Sequence, residues 1–235
     1  MAKKAKETIG EVLNLEPIQR TYLKVELIGD SDLILHGMDR YTKMKMIWER
    51  EHPENTPLPA IFQQDKTNPN IWQQLITSIH WLHPIEFHDE DISLYSQEEW
   101  ERYMKENTPC ILSRAFLKSF KEVVISFYKY TKLKGTDLRR SLNITNPLCP
   151  VTFENVEIRK SIANTQENGG GSTVLSEANV FSGWKTEIEI KAPATVFPTE
   201  SILAIIQSAG EFIGIGTQRA NGYGRYHIGS VQEIR

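Results

Sequence analysis

Cysteine is scarce in this 235-residue chain, with only Cys110 and Cys149 present. Two isolated thiols neither staple a small fold nor form a metal motif, so the expected setting is a reducing, cytoplasmic one. Long apolar runs are absent as well. No stretch of about 18 apolar residues occurs, which excludes an encoded transmembrane helix and a membrane partner. The opening Met1-Ala-Lys-Lys-Ala-Lys lacks the apolar region of a secretory signal. Charge of one sign is missing too: 27 bases stand against 30 acids, a formal net charge of −3. That balance excludes a surface sticky to polyanions all round. What is present is 40% hydrophobic residues, enough for one large domain, or a core with an insertion, to bury its own interior.

The near-neutral average conceals two opposed segments. Between 86 and 107 there are eight acids against Arg102 and Lys105, a local charge of −6. From 112 to 140 there are eight bases against Glu122 and Asp137, a local charge of +6. Leu112, Phe116, Phe120, Val123, Phe127 and Tyr130 recur at spacings of three and four, so they fill one stripe of a helix that Ser113 is placed to cap. Arg114, Lys118, Lys121, Lys129 and Lys132 fall opposite, and Lys134, Arg139 and Arg140 follow in a basic loop. A basic face of this kind either meets a polyanion or simply solvates the helix.

Elsewhere the pattern is simpler. Residues 1–20 read as a polar tail. A strand at 22–28 alternates apolar and charged residues and turns at Gly29-Asp30, and a second apolar run at 33–35 ends at His36-Gly37. The region 38–110 is punctuated by proline and reads as a helical insertion, with helices at 71–82 and after the capping box Ser96–Glu99. Strands are expected at 151–158 and 184–190, forming a long hairpin whose flexible tip, 164–172, would act as a mobile flap. A helix over 200–209 should stop at Gly210 as its C′ residue, and a last strand lies near 222–228. Without the insertion the order is strand, helix, strand, strand, helix, strand. The expected fold class is therefore α+β: a ferredoxin-like (RRM-like) antiparallel sheet with two helices, a single domain over 21–235.

Six of the 14 glycines lie between 210 and 229. Glycine leaves no side chain between backbone and ligand, so amides of such a segment can approach phosphate. Arg219 and Arg225 supply planar donor forks, and Tyr223 and Tyr226 offer faces for unpaired bases. The same glycines would also serve a bent sheet or a close helix–strand contact. The segment is neither a dinucleotide fingerprint nor a P-loop, since it follows a helix and leads into a strand.

The spacing of Gly214, Gly216, Gly222 and Gly224, between the second helix and the last strand, resembles the RAMP superfamily of CRISPR-associated RNA-binding proteins. The closing segment from Ala209-Gly210 to Gly224-Arg225 is also similar to uncharacterised phage and prophage proteins. The RAMP resemblance implies a glycine-rich loop near RNA, in subunits that coat guide RNA or process its precursor. The expected function is thus non-catalytic binding of single-stranded nucleic acid, RNA before DNA, by Lys118, Lys121, Arg139, Arg140, Gly214, Gly216, Arg219, Gly222, Tyr223, Gly224 and Arg225. Other CRISPR or phage subunits, or further copies polymerising along the strand, are the expected partners, the resemblance implies the cytoplasm of a bacterial or phage-infected cell, and neither cofactor nor metal is expected.

Two alternatives remain open. His36 at a sheet edge would serve metal-independent RNA cleavage if it lay near Arg219 or Lys118. The tryptophans of the insertion, Trp48, Trp72, Trp81 and Trp100, would anchor a protein partner if exposed.

Overall fold

The structure, a computed structural model, describes residues 17–52, 57, 59, 70–88, 91–128, 134–167 and 170–234, with backbone alone for Ile92 and 161–176. Ten strands and six α-helices lie among the described residues.

The main sheet is antiparallel and runs β10 (Tyr226–Glu233), β1 (Arg20–Gly29), β9 (Lys185–Pro193), β6 (Leu148–Thr152), β4 (Pro109–Leu112) and β3 (His80–Trp81), with β5 (Asn143–Ile144) also pairing β9. Strand alternation gives it one buried face. Leu23, Val25 and Leu27 of β1 and Ile188, Ile190 and Ala192 of β9 are all buried, as period-two patterning requires. They share a core with Phe116, Phe120 and Val123 of α4 (Ser113–Ser126) and Ile202, Ile205 and Ile206 of α6 (Thr199–Ser208). Each such buried side chain contributes about 1.5–3 kcal/mol relative to exposure. The open face carries both signs: Lys24 bonds Glu187 at 2.8 Å, and the Lys191 ammonium lies 5.2 Å from the Tyr22 ring centre.

A second, three-stranded sheet pairs β2 (Leu33–Leu35), β8 (Gly170–Ser182) and β7 (Asn155–Glu167). This corrects the expected hairpin. Its two arms are β7 and β8, in register from Asn155↔Ser182 to Glu167↔Gly170; of the expected arms only Val151 and Thr152 pair across, with Thr186 and Lys185 in the main sheet. The expected first arm breaks at Glu154, whose N–H donates to the Ser182 carbonyl (3.0 Å). The expected flexible stretch 164–167 and 170–172 is laddered strand, while Gly169 lies outside the described residues.

The region 38–110 contains α1 (Arg40–Glu51), α2 (Ile71–Thr77) and α3 (Gln97–Glu106), besides β3 and part of β4. Asp39 caps α1 through the Thr42 N–H, and Ser96 caps α3 through the Glu99 N–H, each satisfying an otherwise unpaired donor. Buried Asn179 of β8 ties the second sheet to α2 and α3. Its amide donates to the Leu75 carbonyl and its oxygen accepts from the Trp100 indole, both at 2.8 Å. Three expectations shift here. The helix expected over 71–82 ends at Thr77, the first strand begins at Arg20 within the expected tail, and residues 1–16 lie outside the described residues. Ser113 is the first residue of α4 and makes no capping bond; Leu112 holds the cap position.

The end of α6 differs most instructively. Gly210 is not a left-handed C′ residue. The chain continues through a π turn, Ala209–Ile213, closed by the Gly214 N–H on the Ala209 carbonyl (2.7 Å), and the left-handed glycine is Gly214 at φ 78°. A side chain on Gly210 would collide with the backbone carbonyl and ring of Tyr226. Glycine there permits close helix–strand packing.

Candidate nucleic-acid interface

The basic face of α4 is built as its periodicity requires. Phe116, Phe120 and Val123 point to the core, so Arg114 and Lys118 emerge exposed and Lys121 half-buried. A short helix missed in the sequence, α5 (Gly135–Ser141), packs on α4 with Leu138 buried and delivers Arg139 and Arg140 exposed in its last turn. Between the helices lies a groove of about 510 Å³ lined by Arg114, Ala115, Leu117, Lys118, Lys121 and Arg139. Four cations with no carboxylate in the lining make a strongly positive wall, and low-dielectric surroundings focus its field. Arg114 also reaches towards the edge of the main sheet. His80 of β3 is held below its ordinary value of 6.5 by burial first and then by the charges of Lys43 and Arg114. Lys129, Lys132 and Tyr130 lie outside the described residues.

The glycine-rich segment is organised inward. Gly214, Gly216, Gly222 and Gly224 all adopt positive φ, between 69° and 86°. At Gly224 a side chain would also collide with the backbone of Ile215, so glycine is doubly required. The amides expected to meet phosphate mostly have partners already. Ile215 N–H donates to Gly224 (2.9 Å), Thr217 to Ile34 (3.0 Å), Gly222 to Arg219 (3.0 Å) and Gly224 to Asp32 (2.8 Å). Ser31 accepts from the Arg225 N–H and donates to the Gly222 carbonyl, and Ser119 of α4 donates to the Gly214 carbonyl (3.0 Å). The segment thus sews the second sheet to α4 and to the start of β10.

Its side chains divide. Arg219 forms a two-pronged ion pair with Glu122 of α4, at 2.7 and 3.3 Å. Arg225 is half-buried, and its Nη1 is shut off from solvent without a hydrogen-bond partner among the described residues. Both line a notch of about 230 Å³ with Glu122, Phe212, Ile213 and Ala220. Tyr223 is half-buried against Ile34, Ala178 and Val180, with the Arg159 guanidinium 4.9 Å from its ring centre. Tyr226 is fully buried beside Phe116 and Trp184, so it has no free face for a base.

His36 is exposed after β2, and its protonation is disfavoured by burial of the ring and favoured by Asp39. Arg219 is committed to Glu122, so one of the two cations expected to assist His36 is engaged elsewhere, and the other, Lys118, lines the α4–α5 groove. Trp81 and Trp100 are core residues, and Trp72 packs on Trp100, which removes them as exposed anchors. Glu99, in the acidic segment, is bound by Arg102 at 2.6 Å and His88 at 3.4 Å. Among the described residues no three His, Cys, Asp or Glu side chains converge as metal ligands. No described helix is long and apolar enough to cross a membrane. Both thiols are free and buried, and burial pushes Cys110 up to about 11 and Cys149 up to about 12.

No protein-family model matches the sequence, and no curated protein matches it. Among solved structures the chain is similar to one in a cryo-EM structure of the type III-B Cmr-beta bound to cognate target RNA, at 10% identity and a TM-score of 0.47. That likeness covers 92% of this chain and 61% of the other, so this chain spans about three-fifths of its length. It is also similar to the crystal structure of Cmr6 from Pyrococcus furiosus, at 10% identity and a TM-score of 0.35, over 90% of this chain and 98% of that one.

Proposed function

We propose that this protein binds single-stranded nucleic acid, RNA in preference to DNA, without covalent chemistry. One observation carries the proposal: the groove between α4 and α5, where Arg114, Lys118, Lys121 and Arg139 converge without a carboxylate in the lining. A backbone of phosphates laid along α4 meets these cations and releases its counterions. Arg140 extends the track, and Arg225 with Arg219 stands at the far end of the same helix, beside Glu122. The glycines Gly214, Gly216, Gly222 and Gly224 act indirectly, by holding the arginines in place.

The core is read as a ferredoxin-like unit. The strand order β10-β1-β9-β6, with α4 following β1 (after the insertion) and α6 following β9, supports it. The opposed charges of the 86–107 and 112–140 segments support end-to-end assembly along the strand, acidic α3 of one copy meeting the basic face of the next. Other CRISPR or phage-encoded subunits with an acidic or basic face would dock in the same way, in the cytoplasm.

The test is a titration against single-stranded RNA, single-stranded DNA and duplex at two salt concentrations. Affinity that falls steeply with salt and is highest for single-stranded RNA is expected; equal, feeble binding of all three at both salts refutes the proposal. For assembly, size-exclusion chromatography is run at low and high salt with and without RNA. A monomer under all four conditions refutes it.

A further inference from the structure

Phe127 ends α4 and Phe212 sits in the π turn after α6, and the two rings meet at 5.2 Å between centres with 47° between planes. The sequence stripe assigns Phe127 to the core, yet Phe127 is 51% and Phe212 50% exposed. With Ile125 of the same uncharged last turn also exposed, the two touching rings form a small open apolar patch at the end of α4. Phe212 also lines the notch that holds Arg225, Arg219 and Glu122.

The chemistry of that notch selects its ligand. Arg219 is neutralised by Glu122, and the carboxylate repels a phosphate placed beside it. What the notch offers is a flat apolar ring, a carboxylate with lone pairs to spare, and the half-buried Arg225 guanidinium. Arg225 Nη1 is itself shut off from solvent, so a ligand in the notch meets the rest of the guanidinium fork. The volume, about 230 Å³, falls below the roughly 300–1,000 Å³ of sites for drug-sized molecules. It suits a single flat heterocycle with both donors and acceptors on its edge.

We propose that this notch takes one unstacked nucleobase of the bound strand. The base stacks on Phe212, braced by Phe127, and its polar edge meets the Arg225 guanidinium and the Glu122 carboxylate. The inference rests on the proposal that the α4–α5 groove holds the strand's phosphates, and it adds a contact that reads the base itself.

The experiment compares a single-stranded oligoribonucleotide with an abasic ribose-phosphate strand of equal length, by fluorescence anisotropy across a salt series. Phe212→Ala and Phe127→Ala should each weaken binding of the normal strand about 10-fold, within the range for removing one stacking partner. Binding of the abasic strand and the salt slope should not change. Phe212→Trp should retain affinity and report the base by a change in its fluorescence, which guards against misfolding of the alanine variants. Alanine variants that bind the normal strand as the wild type does, or that release both strands equally, overturn the notch while leaving the groove intact. A changed oligomeric state with RNA binding untouched assigns the aromatic pair to a protein contact and likewise overturns it. A wild type that binds neither strand in a salt-dependent way overturns the groove and the notch together.

Discussion

The glycine-rich segment and the α4–α5 groove make an instructive pair. The first has the conspicuous pattern: four spaced glycines, two arginines and a tyrosine. The second has no motif, only lysines and arginines at helical spacing. In the fold their roles part. The glycine segment faces inward, with Ile215, Thr217, Gly222 and Gly224 amides bonded to the protein and Arg219 clamped to Glu122. The groove presents Arg114, Lys118, Lys121 and Arg139 to solvent. A recognisable pattern marks where backbone geometry is demanding, and ligand contact falls to side chains whose identity only has to be positive.

This contrast breaks most sharply at Gly224. Gly224→Ala places a methyl group against the Ile215 backbone at φ 69° and should cost about 3 kcal/mol or more. Denaturant unfolding measures it, and wild-type stability would show that the segment is not architectural. Next in size, Lys118→Ala with Lys121→Ala and Arg139→Ala should leave the melt nearly unchanged and lower the log–log salt slope for single strands by about 2, at about 0.7 for each phosphate no longer neutralised. Retention of the wild-type slope would place the phosphates elsewhere. A smaller effect of opposite sign is expected from Glu122→Gln. It releases Arg219 from a partly exposed ion pair worth about 1 kcal/mol or less, so phosphate binding should tighten a few-fold while stability falls slightly. Weaker binding to an abasic strand would show that Arg219 works only when clamped.

The smallest effect is in pH. His36 and His80 titrate below 6.5 in the fold, chiefly through burial. The unfolded chain takes up those protons first, so stability is full above 6.5 and declines as pH falls through 6.5 and below. His80→Gln should flatten that decline in thermal melts from pH 7.5 to 5, and an unchanged profile would clear His80 of any part in it.

The amphipathic elements are legible in the sequence. The alternation of β1 and β9, the stripe of α4 and the cap of α3 each encode a buried face or a satisfied donor. The α+β class and an antiparallel sheet follow from them. The true arms of the long hairpin are hidden because the distal parts of β7 and β8, Ser161–Glu167 and Gly170–Ser176, read as polar and glycine-rich, without the alternation a buried face imposes. α1 escapes notice since Tyr41 is its single buried residue among 12, and α5 because seven residues are too few for periodicity to show. Within the candidate interface, Lys118, Lys121, Arg139 and Arg140 follow from helical geometry. The Arg219–Glu122 clamp and the Phe127–Phe212 pair do not, because each joins residues more than 80 positions apart. The sequence does hold a clue to the clamp: Glu122 is the one acid within the basic helix.

The π turn of Ala209–Ile213 has a consequence for how such a chain can change by insertion and deletion. A π turn is an α-helix carrying one surplus residue, absorbed locally without moving the flanking elements. Removing one residue of the turn would therefore return it to ordinary helical winding with the flanking elements still in place. The loop's register against α4 can thus survive a one-residue deletion in the turn, whereas a side chain at Gly210 would still meet the carbonyl and ring of Tyr226.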